Sequence, residues 1–117
     1  MVDINNLAVQ PTSIKPGNPK QITFTWDGDV DKLSESPIEI ELVIEDNAEV
    51  SFLDVTENLT KKVFWQTSDF EINTTPFKEI LFLQNTASVF TGTDALITMN
   101  ATNISGKTAT SSCTIKF

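Results

Sequence analysis

The sequence predicts an all-β fold, a two-sheet sandwich of seven to nine strands. Short apolar runs recur with period two, turn residues interrupt them at intervals near ten, and no stretch sustains a period of 3.6. The clearest run closes the chain. Residues 95–102 alternate Ala95, Ile97, Met99 and Ala101 with Leu96, Thr98, Asn100 and Thr102. Residues 108–117 set Ala109, Ser111, Cys113, Ile115 and Phe117 on one face and Thr108, Thr110, Ser112, Thr114 and Lys116 on the other. Ser105-Gly106 supplies a link that accepts positive φ. A lone hairpin is marginal in water, so this pair demands a second layer.

The other elements follow in chain order. Ile4, Leu7 and Val9 enter a short first strand ending at Pro11. Pro16, Gly17 and Pro19 then punctuate a turn, and such breaks suit an edge strand that crosses or bends. Ile22, Phe24 and Trp26 recur at spacing two and form the strongest core strand of the first half. Asp27-Gly28-Asp29-Val30-Asp31 reads as the turn after it. Residues 37–45 point Ile38, Ile40, Leu42 and Ile44 inward and Glu39, Glu41, Val43 and Glu45 outward. Asp46-Asn47 turns the chain into a short strand through Ala48, Val50 and Phe52, whose alternation breaks at Leu53, Asp54 and Val55. Val63 and Trp65 sit in a further strand, and residues 69–76 are loop-like. In residues 78–84, Ile80 and Phe82 on one face oppose Leu81 and Leu83 on the other, which predicts partial cover on both faces.

Composition narrows function more by exclusion than by assignment. At 117 residues the chain is one domain able to bury a core without disulfides. Sixteen acids against eight lysines give a net charge of −8, which argues against nucleic acid and anionic membrane surfaces. The charge is lopsided: residues 1–57 carry twelve acids and three lysines, a net of −9, and the remainder a net of +1. There is no His, Arg or Tyr, so the commonest general base and metal ligand is missing. Without a nucleophile beside a base, the residues point to a protein that is not an enzyme, and carboxylate pairs such as Asp69 and Glu71 lack any sign of a cleft. Cys113, the single cysteine, reads as a buried inert thiol. No window reaches the roughly 18 apolar residues of a membrane span, so direct membrane insertion is not expected.

Three sets of residues are candidate sites. Asp27, Asp29 and Asp31 alternate around Gly28 and could converge on a hard cation, with Asp46 or Asn47 completing a weak calcium site; a solvated Asp/Gly turn is the plainer alternative. The series resembles the opening of an EF-hand loop, but Lys32 and Ile38 stand where that loop needs Gly and a bidentate acid. No cofactor is otherwise implied. Asn58 and Asn73, in loop-like stretches, head the better placed N-x-Ser/Thr glycosylation triplets, ahead of Asn100 within a strand. Phe64, Trp65 and Phe70 are candidate contact residues, because Phe64 and Trp65 alternate and cannot share one core.

Residues 95–107, in which an alternating strand ends in Ala101-Thr102-Asn103 and a Gly106 turn opens the last strand, resemble the final hairpin of immunoglobulin-like domains. The Pro16-Gly17 turn followed by Ile22-x-Phe24-x-Trp26 is similar to their first two strands. Lacking a cysteine pair and any tyrosine, the chain resembles the disulfide-free microbial members, including modules of surface-layer proteins and soluble domains of archaeal filament-anchoring (archaellum) proteins. That resemblance implies adhesion, spacing or assembly and carries no catalytic residues. The expected function is a non-catalytic extracellular interaction module of a cell-surface assembly. A cell-envelope or surface-layer protein, or a second copy, would be its partner, and an anchoring segment would lie outside this sequence. The alternative is a carbohydrate-binding domain with Trp65 or Trp26 as a stacking platform.

Overall fold

The computed structural model describes residues 2–29, 37–67 and 77–117. Among them are nine strands: β1 (Asp3–Gln10), β2 (Lys20–Asp29), β3 (Ile38–Ile44), β4 (Val50–Leu53), β5 (Leu59–Thr60), β6 (Lys62–Thr67), β7 (Phe77–Asn85), β8 (Asp94–Thr102) and β9 (Thr108–Lys116). They form two antiparallel sheets, one ordered β1-β2-β7-β4-β5 and the other β6-β3-β8-β9. The period-two pattern decides which side chains meet. Ile22, Phe24 and Trp26 of the first sheet and Ile38, Ile40, Leu42 and Ile44 of the second are all buried in one core, joined by Phe52, Leu83, Ile97, Met99 and Ile115. Each such aliphatic side chain contributes about 1.5–3 kcal/mol on leaving water.

The final hairpin forms as its alternation requires, pairing Ala95 with Ile115 through Thr102 with Thr108. Its turn is held by Asn103, whose Oδ1 accepts from Ser105 N at 3.1 Å, Ser105 Oγ at 2.8 Å and Lys107 N at 2.9 Å. Gly106 takes φ 88°, which a side chain would strain. Across the solvent face of the second sheet, Thr110 Oγ1 donates to Asn100 Oδ1 at 2.8 Å and Asn100 Nδ2 to Glu41 Oε1 at 3.2 Å. The outward Glu41 is thereby fixed in place. Lys62 Nζ lies 3.6 Å from its other oxygen.

The first strand crosses as the prolines suggest. β1 pairs with β2, with a register shift between Asn5 and Ala8 where Asn6 adopts φ 58°, a conformation Asn tolerates better than most residues. The shift turns Leu7 toward the other sheet, and its N–H donates to Ser111 Oγ of β9 at 3.1 Å. Past Pro11 the chain joins the second sheet outright: Lys116 N donates to Thr12 O at 3.0 Å and Ile14 N to Lys116 O at 2.9 Å. The buried Asn85 then pins this crossing to β7, its Nδ2 donating to Ile14 O at 2.9 Å.

One expectation needs correction. Asp27 to Asp29 do not form a turn, because β2 continues through Asp29 and pairs Asp27 with Asn5 and Asp29 with Asp3 of β1. Ladder pairing with the first strand outweighs the local preference of an Asp/Gly run. The outer face of β7 is partly covered, as its apolar residues predict, with Ile80 and Phe82 about half exposed, at 47% and 48%. No third layer packs there among the described residues.

Candidate contact edge

The opposite flank of the sandwich is built differently. β4 turns back at Asp54, whose Oδ1 accepts from Thr56 N at 2.8 Å, Thr56 Oγ1 at 2.7 Å and Asn58 N at 2.9 Å. The Thr56 hydroxyl, followed by the Asn58 amide, holds the Asp54 carboxyl below the usual carboxylate range. This tight turn leaves Val55 fully in solvent and Asn58 exposed, with Asn58 Nδ2 donating to Thr56 Oγ1 at 2.8 Å. β5 lasts only two residues. The chain then changes sheets at Lys61, whose carbonyl accepts Ile44 N at 2.8 Å. Its ammonium turns inward and donates to the Ala48 carbonyl and to Val50 O, the latter at 2.6 Å. Burial lowers the Lys61 pKa, with Asp46 and Glu45 pulling the other way. The lysine thus ties together the strands that its own backbone separates.

β6 follows as the edge of the second sheet, paired among the described residues with β3 alone. Its alternation divides the candidate pair. Trp65 and Val63 pack against the core, whereas Phe64 points outward and is 69% exposed, beside Glu41 in register. The sequence narrowed this to one of two residues, and the position of β3's apolar face decides which. Between β6 and the β4–β5 hairpin runs a groove of about 480 Å³ lined chiefly by Leu53, Val55, Val63, Phe64, Trp65 and Leu81. Sequence reasoning gave no sign of it, because it exists only where a two-residue strand fails to extend the first sheet alongside β6.

A smaller pocket of about 200 Å³ lies at the end of the sandwich, where Trp26, Trp65 and Phe77 meet Gln66, Lys78 and Glu79. Trp26 is only 4% exposed and stacks on Phe77 with ring centroids 6.0 Å apart, so it is a core residue and not an open stacking platform. Its indole N–H has no acceptor among the described residues. Trp65 reaches this pocket and the groove but presents no free ring face on the scale of Phe64.

Only part of the remaining candidates lies among the described residues. Asp27 Oδ2 accepts from Asn6 Nδ2 at 2.9 Å, while the Asp29 side chain and all of Asp31 lie outside the described residues, as do Lys32, Phe70, Asp69, Glu71 and Asn73. Asp46 and Asn47 cannot complete a site with Asp27, because they follow the far end of β3, whose seven residues span about 20 Å. Among the described residues no three His, Cys, Asp or Glu side chains are grouped to hold a metal ion. Of the acceptor triplets, Asn58 is exposed, Asn100 is tied into the Glu41 ladder and Asn103 is buried. Cys113 is half-buried on the inner side of β9, and burial pushes its thiol up to about 11. No protein-family model matches the chain, and no curated protein matches it.

Proposed function

We propose that this domain is a non-catalytic interaction module of an extracellular, cell-surface assembly, and that it makes contact through the Phe64 side of β6. One observation carries the reading: a phenylalanine 69% exposed on an edge strand, beside an apolar groove. An aromatic left in water at such an edge favours burial against a partner. Assignment to the immunoglobulin-like class is part of the proposal. It is supported by the strand orders, in which β2, β7 and β4 adjoin in one sheet and β3, β8 and β9 in the other, and by the early crossing of the chain between sheets. The extracellular location is supported by the exposed Asn58 triplet.

A comparison of native and Phe64→Ser domains, immobilised and exposed to envelope fractions of the source organism, tests this reading. Retention of one envelope protein by the native domain, lost in Phe64→Ser, is the expected result; equal retention by both sinks it. Trp65 is kept native because it packs against the core. The sugar-binding alternative draws support only from the end pocket, where Trp65 meets Gln66, Lys78 and Glu79. A glycan titration that leaves tryptophan fluorescence unmoved removes it.

A further inference from the structure

We infer that the β6 edge and its groove take up an extended strand from another chain, with apolar side chains at alternate positions and basic ones between them. This deepens the proposed function and rests on the β6 side being the contact surface. The main-chain argument is one of parity. Ile44 N donates to Lys61 O and Glu45 N donates to Leu96 O, so even-numbered residues of β3 bond toward β6 and odd-numbered ones toward β8. Antiparallel alternation then commits Val63, Trp65 and Thr67 to β3 and turns the N–H and C=O groups of Phe64 and Gln66 away from it. Those groups face the outer edge of the sheet, where no strand pairs with β6 among the described residues. Lys62, the next in that series, is partly satisfied by Thr60 Oγ1, which donates to its carbonyl at 3.1 Å.

The groove supplies the side-chain argument. A strand added to β6 points every second residue to the inner side of the second sheet, and that is where the cavity of about 480 Å³ lies, walled by Leu53, Val55, Leu81 and the β6 residues. It has room for two branched aliphatic side chains at strand spacing. A second copy of this domain fills it poorly, because the inward residues of its own β6, Val63 and Trp65, are already packed against their own core. A free strand has no such commitment.

Charge selects the residues between. Asp54 lines the groove and Glu39 lies on the strand next to β6. Neither has a cationic partner among the described residues, whereas Lys62 is held by Glu41 and Lys61 is turned inward. The unpaired charge around the edge is therefore negative, and the protein as a whole carries −8. At separations near the Debye length of about 8 Å, lysine or arginine on the added strand is favoured and acid is repelled.

The test is selection of a displayed random nonapeptide library on the native domain, followed by amide hydrogen exchange with the enriched peptide. The inference expects alternating apolar and basic residues without proline, and exchange at the Phe64 and Gln66 amides slowed about tenfold or more. The Val63 and Trp65 amides, already bonded to β3, serve as internal references. Gln66→Pro removes an N–H that the β3 ladder does not use, and an edge tolerates proline; the variant should keep its circular dichroism and lose the peptide. Enriched peptides that bind without protecting those two amides overturn strand addition while leaving Phe64 as a contact residue. Acid-rich peptides, or no enrichment, overturn the inferred chemistry of the occupant. Self-association abolished by Phe64→Ser names a second copy in its place. Failure of the broader reading shows separately, as envelope retention indifferent to Phe64→Ser.

Discussion

The two flanks of this sandwich end their sheets in opposite ways. At the β1/β9 flank the register shift near Asn6 and the crossing beyond Pro11 lay one chain segment over both sheets, with Leu7, Thr12 and Ile14 all hydrogen-bonded to β9 residues. Unpaired strand edges invite pairing with other chains, and bending the strand away or covering it are common protections. At the β5/β6 flank the first sheet stops at a two-residue strand and β6 carries one charge, Lys62, at its very start. Its centre, Val63-Phe64-Trp65, has strong strand formers and, among the described residues, no such protection. One edge is closed by backbone that the domain supplies itself; the other is left unpaired among the described residues.

That contrast can be tested, beginning with the largest effect. Ile14→Ala empties a site only 2% exposed in the segment sealing the β1/β9 flank, and should cost about 2–5 kcal/mol. Urea unfolding followed by tryptophan fluorescence measures it, and a loss under about 1 kcal/mol would mean that the crossing segment does not close the core. At the other flank, Lys61→Met strips the donor from the Val50 and Ala48 carbonyls. Water reaches this half-buried site, so the expected loss is smaller, about 1 kcal/mol in the same experiment.

Lys61 also has a pH signature. Its folded pKa is lowered by burial, so the unfolded chain holds that proton more tightly. Between the lowered value and 10.5, stability should rise with pH in the native protein relative to Lys61→Met. A flat difference between the two across that alkaline window contradicts an inward ammonium. Asp54 works in the acid range with the same sense. Its lowered pKa stabilises the β4–β5 turn above pH 3.8, and that contribution fades as the pH falls through the folded value. The Asn58 amide should lose exchange protection, beyond its intrinsic pH dependence, only as the pH falls below 3.8, and Asp54→Ala should abolish that loss.

The smallest effect is expected where the surface looks most apolar. Phe64→Ser should change stability by no more than about 0.5 kcal/mol, because the ring is already in water. A loss approaching that of Ile14→Ala would show that Phe64 serves the fold.

How far these features could be read in advance depends on the range of the interactions behind them. Period-two alternation fixed the inward sets of β2, β3, β8 and β9, because the facing of a strand residue depends on local geometry alone. The prolines of residues 11–19 signalled a crossing, since a missing amide breaks a ladder in any context. Asp27-Gly28-Asp29 was misread as a turn because its pairing partners, Asn5 to Asp3, lie more than twenty residues away. Likewise the alternation of Phe64 and Trp65 required one of them to face outward, but the register with Leu42 and Ile40 of β3 chose Phe64.

By itself, then, the sequence determined every strand among the described residues but β5, the inner faces and the absence of histidine chemistry, all of which follow from residue identity and a two-residue period. Tertiary structure alone decided which edge is open, where the groove lies and which amides face it. Those features depend on where β5 stops and which residues of β3 bond toward β6, and both are settled by contacts between segments distant in the chain.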